Sequence, residues 1–381
     1  MQKKIIALAV TALVSGAASA QSSNVTIYGL VDMGISHRSD ALTKGVKSKT
    51  SIDSGITSGS RLGFRGTEDL GNGWSALFGL EMGFVADTGN HGQSSRVFGR
   101  NATVGLTNNS VGTFVAGRMY TPHYTFLSAI DPFKAGTVGR YNNLMAYSGA
   151  EAVNETLFDP VRVDNTLAYV SPSFGGFNVT AAYSNNAAWQ EQPGNVGDAR
   201  VFALLPRYTN GPLDIGLSWH RIKVSDGALY NGNTSTSTGI IEPTITNYVL
   251  GGTYDFRVVK LHAFYDRNKM SADTSTPASA SFDGKTLKSF MLGVTVPFGK
   301  SAIQASYGQS KLKANSNADT YKGRQWALGY TYTFSKRTNF YAAYADISND
   351  KNRAVKMQVG DGTNTSEPYQ TGFQFGLKHT F

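Results

Sequence analysis

From Leu213 to Arg221 the apolar residues Leu213, Ile215, Leu217 and Trp219 alternate with Asp214, Gly216, Ser218 and His220. Val259, Leu261, Ala263 and Tyr265 alternate with Lys260, His262 and Asp266, and Trp326, Leu328, Tyr330, Tyr332 and Phe334 with Gln325, Ala327, Gly329, Thr331 and Thr333. Successive strand side chains point to opposite faces, so each segment meets two media. Sixteen such segments follow one another from Val25–His37 to Tyr369–Phe381, among them Ser60–Asp69, Trp74–Val85, Phe98–Thr107, Gly112–Met119 and Arg162–Ser171. A soluble sandwich shows the same alternation, so the connections have to decide.

Every second connection is short: Leu70 to Gly73, Asn108 to Val111, Pro172 to Gly176, Asn210 to Pro212, Gly299-Lys300 and Ser335 to Arg337. Between them lie polar stretches such as Ser39–Gly59, Asn186–Asp198, Ser225–Ile241, Met270–Lys285 and Asn349–Pro368. Tight turns at one rim and long loops at the other mark a transmembrane barrel. Backbone polar groups cannot stay bare in lipid, so the last strand has to pair with the first. Sixteen strands also leave an aqueous bore, whereas eight would fill it with side chains. The expected fold is therefore all-β, a 16-stranded antiparallel transmembrane β-barrel. One stretch obeys neither pattern: residues 120–160 are aromatic, too irregular for a helix, and flanked by strands. So long a connection is usually functional; here it is expected to fold inward and narrow the bore.

Lys3 and Lys4 precede an apolar run from Ile5 to Val14 and the small residues Ser15 to Ala20, the three-part pattern of a secretory signal. Residues 1–20 are expected to be removed, leaving 21–381 as one barrel. That apolar run is too short for a spanning helix. With Cys absent, there is no disulfide framework or thiol chemistry to weigh. The formal charge of +9 falls to +7 without Lys3 and Lys4. No basic cluster accompanies a recognition motif, so nucleic acid is not the expected partner, and a positive lumen is the preferred reading.

In the last strand Phe373, Phe375, Leu377, His379 and Phe381 alternate with Gln374, Gly376, Lys378 and Thr380. That pattern resembles the terminal signal read by the barrel-assembly machinery of the outer membrane, with Phe381 as its final aromatic. The resemblance extends further, through Val25-Thr-Ile-Tyr-Gly29 with Asp32, the run Ser60 to Trp74, Gly117-Arg118, Thr121-Pro122, Asp131-Pro-Phe133, Asp164-Asn165, Tyr169 and Ser171-Pro172. On these residues the chain resembles the general diffusion porins of Gram-negative outer membranes, of the β-proteobacterial type. The resemblance implies a homotrimer among outer-membrane lipids, with no cofactor, passing small hydrophilic solutes and ions. It also implies that the loop after the fifth strand forms the constriction.

Parity places some of the lining. With Leu62 and Phe64 outward, Arg61 and Arg65 point inward, and with Phe78, Leu80 and Met82 outward, so does Glu81. Arg61 and Glu81 lie equally far from Gly71 and are expected nearly opposite each other. They could equally be a plain wall ion pair, worth under ~1 kcal/mol if exposed. The resemblance adds Arg100 and Arg162 to the constriction, faced by Asp131 of the loop, and Glu151, Glu155 or Asp159 are further candidates. Arg118 has no clear face. Fixed guanidinium groups opposite loop carboxylates imply a mild anion preference. The histidines show no metal-ligand spacing and read as isolated polar residues. Tyr28, Trp74, Tyr183, Trp219, Tyr254 and Tyr332 read as interfacial girdle. Two alternatives stay open: an adhesin acting through loops such as Ser225–Gly239, and a barrel enzyme, which the strand count and the long loop disfavour.

Overall fold

A computed structural model describes residues 24–42, 45–149, 160–187, 199–224, 243–272, 283–313, 320–350, 355–357, 359 and 369–381. The leader at 1–20, the candidates Glu151, Glu155 and Asp159, and the Ser225–Gly239 segment lie outside them. The first half of the chain forms β1 (Asn24–Ala41), β2 (Lys49–Ser54), β3 (Arg61–Gly71), β4 (Trp74–Gly83), β5 (Asn101–Asn108), β6 (Gly112–Tyr120), α1 (Pro122–Ile130), β7 (Tyr147–Gly149), β8 (Arg162–Val170), β9 (Phe177–Ser184) and β10 (Ala199–Asn210). Then come β11 (Leu213–Val224), β12 (Thr244–Asp255), β13 (Lys260–Ser271), β14 (Thr286–Phe298), β15 (Ser301–Lys313), β16 (Thr320–Thr333), β17 (Thr338–Asn349), β18 (Val355–Met357) and β19 (Tyr369–Thr380).

Neighbouring strands pair antiparallel all the way round, and β19 returns to β1 from Leu30↔Thr380 to Ala41↔Tyr369. The sheet is closed, as lipid demands. Seventeen segments make sixteen staves because β2 and β3 pair with successive parts of β1 and together form the second stave. The stretch Ser39–Gly59, expected as a loop, thus contains a strand. Its polar composition hid it, since Lys49, Ser51 and Asp53 fill the inner face where no lipid selects apolar residues.

Between β2 and β3 the ladder breaks, and Asp32 of β1 takes over the freed donors. Its carboxylate accepts from Thr57 N at 2.8 Å, Ser58 N at 2.9 Å and Tyr341 OH at 2.5 Å. A buried backbone N–H has to find some acceptor.

The connection from β6 to β8 runs inside the barrel. Contrary to the expectation of irregular chain, it opens with α1. Thr121 caps that helix, its Oγ1 accepting from Tyr124 N at 3.1 Å, and Pro122 occupies the first turn. These are ordinary helix-start residues. Phe126, Leu127, Ile130, Val138, Tyr141, Leu144 and Met145 are all buried against inward-facing wall residues of β10 to β17. Full burial of each such side chain stabilises by roughly 1.5–3 kcal/mol. The connection then crosses to the far wall, where Thr137 N donates to Ile56 O at 2.6 Å in the gap between β2 and β3. Asn143 Nδ2 and Tyr147 OH tie it to Gln325 and Ser310 at 2.7 and 3.0 Å.

The wall makes room for this segment with glycine. A Cβ on Gly251 would lie 2.6 Å from Ile130 Cδ1, and one on Gly308 would lie 2.6 Å from Leu144 Cδ1. Gly251→Val should therefore destabilise the refolded barrel by about 1–3 kcal/mol through overpacking, measured by urea unfolding.

Candidate functional site in the barrel lumen

Three arginines of the inner wall converge on one carboxylate and one phenol. Glu81 of β4 receives Arg100 Nε at 2.7 Å, lies 3.6 Å from Arg61 Nη1 of β3, and accepts from Tyr28 OH at 3.0 Å. Tyr120, the last residue of β6, accepts from Arg100 Nη2 and Arg162 Nη2, each at 2.5 Å. The Arg162 guanidinium sits 4.3 Å from the centre of that ring, and Tyr124 of α1 stacks on it at 5.5 Å. The helix is thereby tied to the arginines it faces. Arg100 and Glu81 are nearly buried and Arg61 is the more exposed, with 18% of its side chain open.

Arg61 and Glu81 were expected opposite each other, but the pairing is Arg61↔Gly83 and Gly63↔Glu81. A bulge between Asp69 and Gly71 displaces the register, so the two meet diagonally. Arg100 lies just before β5 rather than within a strand, so strand alternation could not orient it.

Asp131 does not face the arginines. Its carboxylate caps its own loop, accepting from Ala135 N at 2.8 Å, Phe133 N at 3.1 Å and Tyr141 N at 3.3 Å, and it is 1% exposed. An Asp directly before Pro-Phe-Lys-Ala is well placed for such local backbone bonds, which compete with any reach across the bore. Lys134, four residues after the helix, stands in the electrostatic range of Lys260 and Lys378 on the wall, and Lys378 in that of Arg61. Alternation already marked Lys260 and Lys378 as inward, but nothing in the sequence pointed to Lys134.

A second ion cluster forms around Asp164 of β8, which binds Arg96 Nη1 at 2.7 Å and Arg118 Nη1 at 2.5 Å. Arg118 thus has a partner within its own chain. Gly117, at φ 129°, creates the bulge that turns Arg118 there; a Cβ at that position would lie 2.0 Å from Ala102 O. Tyr28 is not a girdle residue, because it shares the inner face with Asp32. His123 and His220 are not isolated either. Their buried rings meet edge to face at 4.5 Å between α1 and β11, with His123 Nδ1 3.0 Å from Ser218 Oγ. Neither contact follows from spacing along the chain, since both depend on where the infolded connection lands.

A closed sixteen-stranded barrel, apolar outside, with ionised groups on its inner wall and a connection packed across the bore, defines an outer-membrane channel protein. Residues 7–352 match the Gram-negative porin family. An outer membrane porin of Bordetella pertussis is 35% identical over 94% of this chain and 99% of its own length. Outer membrane porin protein 32 of Delftia acidovorans is 32% identical over the whole of both chains. The solved anion-selective porin from Comamonas acidovorans superposes with a TM-score of 0.73 at 29% identity, over 94% of this chain and all of that one. The chain belongs to the Gram-negative porin family and is a β-barrel of the outer membrane.

Burial pushes the Asp131 carboxyl up to about 6, against the pull of its three N–H donors and of Arg140. The packed connection therefore favours the neutral acid. That contribution is complete below about pH 4, near the ordinary carboxylate value, and is lost as pH rises through about 6. Refolded barrels should lose stability across this window, and Asp131→Asn should flatten the slope, both read from unfolding midpoints at successive pH values.

Proposed function

We propose that this porin passes small hydrophilic solutes and ions by passive diffusion, with a mild preference for anions set where the infolded connection narrows the bore. The observation that carries this is the cluster of Arg61, Arg100 and Arg162, in which Arg61 and Arg100 share the single carboxylate Glu81 and Arg100 and Arg162 share the Tyr120 hydroxyl. Guanidinium groups stay charged at any working pH, and in a water-filled gap bounded by protein their uncompensated charge attracts anions. Lys134, Lys260 and Lys378 add to the same sign. The anion selectivity named for the Comamonas acidovorans structure supports this reading.

The working assembly is a homotrimer, a reading supported by membership of the family. Phe381 serves as the assembly signal. Its N–H donates to Gly29 O at 3.0 Å, and its ring lies over Gly29, so the last residue sits on the seam that closes the barrel.

Two measurements test the proposal. One unit charge at ~4 Å is worth about 1 kcal/mol even in bulk water. Replacing Arg61, Arg100 and Arg162 by Gln should therefore lower the anion-over-cation permeability ratio several-fold, seen as a shift in planar-bilayer reversal potential. Arg61→Gln alone should move it in the same direction with the buried pair intact. Removal of Phe381 should lower the yield of membrane-inserted barrel while leaving the conductance of the inserted fraction unchanged.

A further inference from the structure

Two of the three lumen arginines are fixed by groups already described. Arg100 donates to Glu81 and Tyr120, and Arg162 donates to Tyr120. Arg61 is held differently. Its Nη1 stands 3.6 Å from Glu81 Oε1, beyond hydrogen-bond reach, whereas Arg100 Nε meets the same oxygen at 2.7 Å. The other nitrogens of Arg61 are turned to the segment Gly55 to Ser60, which joins β2 to β3: Nε donates to Gly59 O at 3.0 Å and Nη2 donates to Ser58 Oγ. With those donors engaged, the guanidinium can offer Glu81 only Nη1, at a distance where the charges attract but no bond closes. Arg61 keeps 18% of its side chain exposed against 6% for Arg100, so it is the cation of the pair that a solute meets.

A short link between strands moves unless something binds it, and this one is wrapped around Asp32. Gly55 N donates to Asp32 O at 2.8 Å, and Asp32 N donates to Ser60 Oγ at 3.1 Å. The carboxylate takes Thr57 N, Thr57 Oγ1 and Ser58 N. The tip of the infolded connection rests on the same segment, through Thr137 N on Ile56 O and through Gly136, where a Cβ would lie 2.3 Å from Thr57 O. Gly59 leaves room for Arg100, since a Cβ there would lie 2.7 Å from Arg100 Nη1. The segment is thus clamped between the connection on one side and two arginines on the other.

We propose that Ser58 is a positioning residue for ion selectivity: with the Gly59 carbonyl it holds the Arg61 guanidinium off Glu81, so that the charge of Arg61 faces the bore. This rests on the reading that the lumen arginines set an anion preference. Without the Ser58 hydroxyl the guanidinium turns to Glu81 and closes a charge-assisted hydrogen bond, the stronger kind. Arg61 and Arg100 are then both spent on one carboxylate, and less positive charge is left for a passing anion.

Purified full-length barrel is reconstituted in planar bilayers, and the anion-over-cation permeability ratio is read from the reversal potential under a potassium chloride gradient. Ser58→Ala should lower the ratio about twofold, in the direction of Arg61→Gln but by less, because the charge is masked rather than removed. Ser58→Thr, which keeps the hydroxyl, should retain the wild-type ratio. Ser58→Ala added to Arg61→Gln should shift it no further than Arg61→Gln alone, since residues that act through one another are not additive. A wild-type ratio in Ser58→Ala, with Arg61→Gln lowering it, overturns this inference and leaves the anion reading standing. Additive shifts in the double variant also overturn it, because Ser58 would then act independently of Arg61. So does an equal loss in Ser58→Thr, which would mean that any change at this position disturbs the segment. If Arg61→Gln leaves the ratio unchanged, the inference and the anion reading fall together.

Discussion

Closure of the backbone hydrogen-bond ladder is the constraint on which everything else depends. In hydrocarbon no water can satisfy a free N–H or C=O, so a sheet with an edge is not an option. Pairing of β19 with β1 removes that edge, and the break between β2 and β3 is repaired by the carboxylate of Asp32. Closing sixteen staves leaves a bore too wide for side chains to fill. The second requirement follows from the first: something else has to occupy and shape that bore.

The connection after β6 meets this requirement by behaving as a small hydrophobic core placed inside an aqueous pore. Phe126, Ile130, Leu144 and Tyr141 lose their water against glycines and small residues of the wall, and Asp131 closes the chain on itself. With the connection pinned to both walls, the arginines opposite face a fixed surface. Tyr120 is the hinge between the two systems, ending a strand, preceding the helix cap and holding two guanidinium groups. Rigid placement of charge beside water, rather than any reactive group, is what this site offers a passing solute.

The two faces of the same strands serve different chemistries. Inside, cations share carboxylates and point at solute; outside, on the long-loop side of β10, β11 and β13 to β16, cations lie near aromatic rings and make no ion pair among the described residues. Because alternation sends neighbouring residues to opposite faces, the two sets vary independently along one strand. His262 facing inward beside outward Leu261 and Ala263 shows the same separation.

Period-two patterning, alternating loop lengths and the terminal aromatic were sufficient to specify a closed sixteen-stranded barrel, because lipid outside and water inside impose their polarity residue by residue. The inward faces of Arg61, Glu81, Lys260 and Lys378 were legible for the same reason. Where the chain departs from that period, alternation no longer orients side chains: the polar strand β2, the bulges beside Gly71 and Gly117, and Arg100 just outside its strand. Thr121-Pro122 is a helix-start pair that a period-two reading passes over. Asp131 turned onto its own backbone follows from its immediate neighbours, which a strand-parity reading does not consult. Tyr120 between two arginines 20 and 42 positions away, and His123 beside Ser218, 95 positions away, and His220 were decided by the tertiary structure alone, because local periodicity carries no information over such distances.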